Sequence, residues 1–146
     1  MDSNSIGITL TSGTAKGAAT IDLGKPLKRG EPSWANYVKG VIVGFQRLGA
    51  KIPGFDAHIE STVPLGGGVS SSAALEVATA TLLEAITGKK LTQVQKGLLA
   101  QKAEHEFALM PCGIMDQFIS VMGKADHVLL LDCESRKTTL VPMKSK

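Results

Sequence analysis

One stretch limits what this chain can fold into more than any other. Pro64-Leu65-Gly66-Gly67-Gly68-Val69-Ser70-Ser71-Ser72 joins an alternating segment to an alanine-rich one. Upstream, Phe55, Ala57, Ile59 and Val63 alternate with Asp56, His58, Glu60 and Thr62, which predicts a half-buried strand over 55–63. Downstream, Ala73 to Ile86 reads as a helix closed by Gly88. A strand feeding a helix through three glycines is a specific local arrangement. Glycines reach backbone angles closed to other residues and let a bulky anion approach. The helix start beyond them aims unpaired N–H groups and the positive dipole end at that anion. Three serine hydroxyls add donors and possible metal oxygens. The reading is a phosphate cradle formed by Gly66, Gly67, Gly68, Ser70, Ser71 and Ser72, weighed against a flexible linker or a plain turn. Periodic elements abutting both ends count against a linker.

Two better-known phosphate motifs are excluded by pattern. No lysine follows the glycines, as a P-loop requires, because Val69-Ser70-Ser71-Ser72 stands there. The glycine spacing and the missing acidic residue also exclude a dinucleotide fingerprint.

Composition allows one domain with a real core: 146 residues, 43% hydrophobic and 20% charged. A disordered solvating tail is thereby excluded. Net charge is only +3 and aromatics are 4%, so neither a basic nucleic-acid footprint nor a stacking platform is expected. No apolar run is long enough to span a bilayer, and Met1-Asp2-Ser3-Asn4-Ser5 lacks the features of a signal peptide. Cys112 and Cys133 have no ligand cluster at metal spacing. A disulfide is conceivable, but two buried thiols in a reducing cytoplasm is the expectation.

Elsewhere, Ile6, Ile8 and Leu10 alternate as a strand, and Ala18–Leu23 reads as a second. Lys25–Pro32 is a loop. Ser33 is the expected cap of a helix running to Gly49, with Trp34, Val38, Val41 or Ile42, and Phe45 on one face. Gly40 and Gly44 weaken that helix but would admit a close neighbouring backbone. Thr92-x-x-Gln95 predicts a capping box and a helix to about Met110, ended by Pro111. Ile114–Met122 reads as helix, His127–Asp132 as an apolar strand, and Thr138–Val141 as its partner. The mixture is α+β, a mixed sheet packed against helices.

Several residues stay ambiguous on their own. Asp116 fits either a cap on the helix starting near Gln117 or a site carboxylate. Glu104, among polar neighbours, fits a solvated helix face. Trp34 and Tyr37 fit core packing. His58, His105 and His127 form no metal spacing, and Cys112 has no activating histidine beside it, so it reads as packing.

The stretch Pro64-Leu-Gly-Gly-Gly-Val-Ser-Ser-Ser-Ala-Ala74 resembles the second motif of the GHMP kinases, a superfamily of small-molecule kinases. Trp34-Ala-Asn-Tyr-Val-Lys-Gly-Val41, Gln101-Lys-Ala-Glu-His-Glu-Phe107 and Met110-Pro-Cys-Gly-Ile-Met-Asp-Gln-Phe-Ile-Ser120 are similar to the galactokinases in particular. The N-acetylgalactosamine kinases typically carry two or more glycines where this chain has Gly113-Ile114. The resemblance implies a partial GHMP kinase N-terminal domain over residues 1–146, of the ribosomal protein S5 domain 2-like fold, without the C-terminal domain. It implies transfer of the ATP γ-phosphoryl group to the anomeric hydroxyl of galactose. By that match Asp116 is the catalytic carboxylate and Gly113 lies against the sugar. Glu104 and Ser72 become Mg²⁺ ligands, a sparse set that magnesium accepts. Trp34, and less directly Tyr37, come to the adenine.

The family's first motif, of the type Gly-Arg-Val-Asn-Leu-Ile-Gly-Glu-His-Thr-Asp-Tyr, is not among these residues, nor is its glycine-rich third motif. Galactokinases are more than twice as long. The expectation is therefore a galactokinase fragment with little or no turnover alone, since Asp116 lacks the arginine that would hold it as a carboxylate. Uncovered strand edges and apolar faces would favour association. ATP and galactose are the expected ligands, with no nucleic acid and no membrane. The alternatives are a non-catalytic nucleotide- or sugar-binding module, another GHMP sugar kinase, or a structural remnant that binds neither ligand.

Overall fold

The computed structural model describes residues 6–143. Its order is β1 (Gly7–Ser12), β2 (Ala19–Asp22), α1 (Ala35–Arg47), β3 (Phe55–Ile59), α2 (Ser71–Thr87) and α3 (Gln93–Ala103). A π-helical turn (Glu104–Ala108) extends α3, and α4 (Met115–Met122), β4 (His127–Leu131) and β5 (Thr138–Pro142) follow. No helix among the described residues is long and apolar enough to cross a membrane.

Three strands form a mixed sheet in the order β2-β1-β3, with β1 antiparallel to β2 and parallel to β3. The alternation of β1 and β2 buries Ile8, Leu10, Ala19 and Ile21 against α1, which contributes Val38, Val41, Ile42 and Phe45. Ala80 and Leu83 of α2 complete this core. The expected face of α1 is thus the buried one, apart from Trp34, which is half-buried.

The β4–β5 hairpin pairs antiparallel and stands apart from the sheet. Val128, Leu130, Leu140 and Val141 remain exposed on it.

Small residues let the helices converge. A Cβ placed on Gly40 would lie 2.7 Å from the Ala103 Cβ, and one on Gly97 would lie 2.8 Å from the Phe118 ring. The capping box is formed: the Thr92 hydroxyl accepts from the Gln95 N–H, and the Gln95 side chain accepts from the Thr92 N–H. Gly88 closes α2 at φ +73°.

Four expectations fail. Ser33 does not cap α1 through its side chain; the backbone carbonyls of Pro32 and Ser33 accept from Ala35 and Asn36 instead. The strand predicted to Val63 ends at Ile59, where β1, its partner, also runs out of residues to pair. The helix predicted to Met110 is α-helical only to Ala103, then widens to the π turn and ends at Leu109 in the left-handed region. Neither thiol is fully buried, Cys133 being exposed and Cys112 half-buried, although both cysteines are free as expected.

Candidate active site

The glycine turn ends in an open helix start. Gly66 and Gly68 have φ of +70° and +68°, and no atom lies within 4 Å of where their Cβ atoms would be. Both positions therefore need glycine for conformation and leave the outer side of the turn free. Ser70 also has positive φ and forms no side-chain cap, and α2 has no acid in its first turn. The first N–H groups of α2 thus have no cap side chain as acceptor, an arrangement suited to an anion.

Beside this helix start lies a cavity of about 230 Å³, lined by Trp34, Leu65, Ser71, Ala74 and Leu75 among others. The Trp34 indole N–H donates to the Lys16 carbonyl at 3.1 Å, which fixes the ring plane. Tyr37 is not on this cavity's lining. Its phenol is pushed above the usual tyrosine range, first by burial and then by Glu104, Glu76 and Cys112. A larger cavity of about 460 Å³ opens between α1 and α3, lined by Gly44, Leu48, Leu98, Leu99 and Lys102 among others. None of the catalytic, nucleotide, sugar or metal candidates named from the sequence lines it.

Glu104 is buried, not on a solvated face. Its Oε1 accepts from the Ser72 hydroxyl at 2.9 Å, and its Oε2 accepts from the Gln117 amide at 2.6 Å. The Cys112 thiol also points to Oε2, at 3.6 Å. Burial, then the adjacent Glu104 charge, pushes that thiol up to about 11, which suits packing and not nucleophilic attack. The nearest histidine, His105, engages the Cys112 backbone, not its sulfur.

Two members of this cluster escaped the sequence reading. Glu76 is fully buried one turn along α2 from Ser72 and is pushed up to about 9, mainly by burial and secondly by Glu104. It is therefore a neutral acid at pH 7. Gln117 is fully buried and donates to Glu104, with a longer contact to Glu76 at 3.4 Å. The signal for Glu76 was an acid within the apolar first half of an alanine-rich helix, four residues from a serine of the cradle. Gln117 carried no comparable signal.

Asp116 is half-buried in the first turn of α4 and makes no capping bond; the N-cap is Ile114. Nothing lies within 4 Å of where a Gly113 Cβ would be, so the loop before α4 faces open space. Ser72 and Glu104 supply two hard oxygens side by side. That donor set fits magnesium, which keeps waters and takes few protein ligands, and is too sparse for a closed protein cage.

Residues 36–124 match the family described as GHMP kinases N terminal domain. The chain is 55% identical over 119 residues to the galactokinase of Homo sapiens, covering 82% of this chain and 30% of that protein. It is 43% identical over 117 residues to that of Roseiflexus sp., covering 80% and 30%. It superposes on the crystal structure of Lactococcus lactis galactokinase complexed with galactose with a TM-score of 0.88 at 32% identity, over 97% of this chain and 37% of that one. The chain thus spans about 30% of the length of the curated relatives it matches. The α+β fold is the one these relatives share. With the family match spanning more than half its length, the chain belongs to the GHMP kinases, through the N-terminal domain of that family.

Proposed function

We propose that these residues form part of the N-terminal domain of a galactokinase, an ATP-dependent sugar kinase acting on the anomeric hydroxyl of galactose in the cytoplasm. The reading is supported above all by one juxtaposition: the Ser72 hydroxyl and the Glu104 carboxylate meet at 2.9 Å, in the first turn of the helix that follows the glycine turn. The galactose and galactokinase in the names of the relatives give the substrate class.

In this proposal the backbone of Gly66, Gly67 and Gly68 and the N–H groups of Ser70, Ser71 and Ser72 bind the ATP phosphates. Trp34 borders the cavity that takes the adenine. Ser72 and Glu104 hold Mg²⁺, which when bound neutralises charge on the transferring phosphoryl group. Gly113 leaves room for the sugar. Asp116 orients the C1 hydroxyl and accepts its proton as that oxygen attacks the γ-phosphorus and the bond to the ADP oxygen breaks. The products are galactose 1-phosphate and ADP. The family's sugar-reading first motif is not among the 146 residues, so the isolated chain turns over slowly or not at all.

Calorimetry with ATP and Mg²⁺ tests the nucleotide half of the reading. Binding is expected in the wild-type chain, weakened at least tenfold by Ser72→Ala or Glu104→Gln. Absence of heat from a folded chain would refute it. A coupled ADP assay tests the sugar half: any galactose-dependent signal must vanish in Asp116→Asn, and a signal that persists would remove Asp116 from the chemistry.

A further inference from the structure

We infer that Gln117 is the positioning residue that aims the Glu104 carboxylate and keys it to Asp116. The inference rests on the reading of Ser72 and Glu104 as metal ligands.

The geometry is direct. Gln117 is fully buried, and its amide nitrogen lies 2.6 Å from Glu104 Oε2, 3.4 Å from Glu76 Oε2 and 3.7 Å from the Cys112 sulfur. Those surroundings decide the amide orientation. A flipped amide would press its oxygen against a carboxylate oxygen at 2.6 Å, so the NH₂ group faces the acids. The donor takes one carboxylate oxygen of Glu104, and Ser72 takes the other. With both oxygens held, the carboxylate plane is fixed before any cation arrives, and rotation about its terminal torsion is suppressed.

Gln117 is also the residue after Asp116 on the first turn of α4. A helix turns about 100° per residue, so the side chain anchored on Glu104 sets how Asp116 is presented. The metal carboxylate and the proposed base come from different segments, the π turn and α4, which are otherwise tied through the loop before α4, where Gln101 and His105 bond the Cys112 backbone. The Gln117–Glu104 bond spans that gap. The Gln117 oxygen has no partner among the described residues. An acceptor left unpaired in a buried site is unfavourable, which argues that the amide is there for what its nitrogen does.

The test uses the 146-residue chain with Mn²⁺ as a paramagnetic probe, titrated in the presence and absence of ATP. Gln117→Met keeps the length and removes the donor. It is expected to weaken Mn²⁺ binding in the presence of ATP by about 10–100-fold, the range for loss of an outer partner of a ligand, while metal-free ATP binding changes less than twofold. A folded Gln117→Met chain with wild-type Mn²⁺ affinity overturns the inference. Glu104→Gln run in parallel separates two failures. If it loses Mn²⁺ while Gln117→Met does not, only the role of Gln117 falls. If the wild-type chain binds no Mn²⁺ with ATP, the metal reading and this inference fall together. A second readout needs no substitution at position 117. In the metal-free chain the Gln117 side-chain amide protons should exchange slowly and shift upon Glu104→Gln. Rapid exchange at free-amide shifts would overturn the inference.

Discussion

Replacing Gly40 by alanine adds one methyl group where α1 and α3 touch. That methyl would sit 2.7 Å from the Ala103 Cβ, 2.8 Å from its Cα and 3.0 Å from its carbonyl oxygen. Carbon atoms prefer about 3.5–4.0 Å, so the helices must part by roughly 1 Å. Neither alanine has a rotamer to change, and two of the three contacts are backbone. Overpacking typically destabilises by about 1–3 kcal/mol, and the rigid contact puts this case near 3. Alanine is the better helix former by about 1 kcal/mol, which offsets part of this. The net expectation is a loss of about 2 kcal/mol, or a Tm fall of roughly 4–8 °C for a chain of this size. Gly44→Ala is the internal control. Its methyl would meet the Leu99 side chain at 2.7 Å, but that side chain can move into the adjoining cavity of about 460 Å³. Gly44→Ala should therefore be near neutral. Thermal and urea unfolding followed by circular dichroism measure both. A Gly40→Ala chain as stable as wild type, or less affected than Gly44→Ala, would refute the argument that close backbone approach explains this glycine.

Three further outcomes follow from buried or paired groups. Glu76 is held neutral in the fold, with its value raised from 4.5 to about 9, so the native state binds the extra proton between those limits. Stability should fall as pH rises from about 5 to 9, and Glu76→Gln should flatten that slope in Tm-against-pH curves. Glu84 shows the opposite sign. Burial opposes its charge, but the Lys96 ammonium at 2.6 Å and the Leu91 N–H at 2.7 Å outweigh it and lower its value. Its contribution is present above pH 4.5 and lost as acid titrates the native carboxylate, and Lys96→Met should destabilise by about 3 kcal/mol at pH 7 by urea unfolding. Finally, a thiol raised from 9 to about 11 carries roughly a hundredfold less thiolate at neutral pH. Iodoacetamide should therefore modify the exposed Cys133 well before Cys112, as peptide mass mapping would show.

What the sequence revealed follows from what each signal encodes. Alternation in β1 and β2 and the 3.6-residue spacing in α1 report burial directly, so these elements and their inward faces were legible. The capping box was legible because Thr92 and Gln95 satisfy each other locally. The Ser33 cap failed because the chain uses backbone carbonyls there, a choice that side-chain identity does not decide. The π turn was invisible because a switch in bonding distance leaves no mark in composition; the Leu109 N–H reaches back to the Glu104 carbonyl. Of the polar cluster, Ser72 and Glu104 were singled out through motif resemblance. Glu76 and Gln117 were not, since their roles exist only where α2, the π turn and α4 meet.

That meeting depends on small residues at defined places. Gly97, Ala100 and Ala103 are the buried residues of α3, and the next inward side chain is Glu104. Gly40 lets α1 approach at Ala103, immediately before Glu104, while Gly97 lets Phe118 approach, immediately after Gln117. Each close contact therefore lies one residue from a member of the polar cluster. A larger residue at Gly97 would part α3 from α4 by roughly 1 Å, enough to stretch a 2.6 Å hydrogen bond between Gln117 and Glu104 beyond useful length, and one at Gly40 would displace Ala103 and with it the adjoining Glu104. Packing and chemistry are coupled here by adjacency in sequence. A methyl group at Gly40 should thus weaken Mg²⁺-dependent ATP binding as well as stability, although it touches neither ligand.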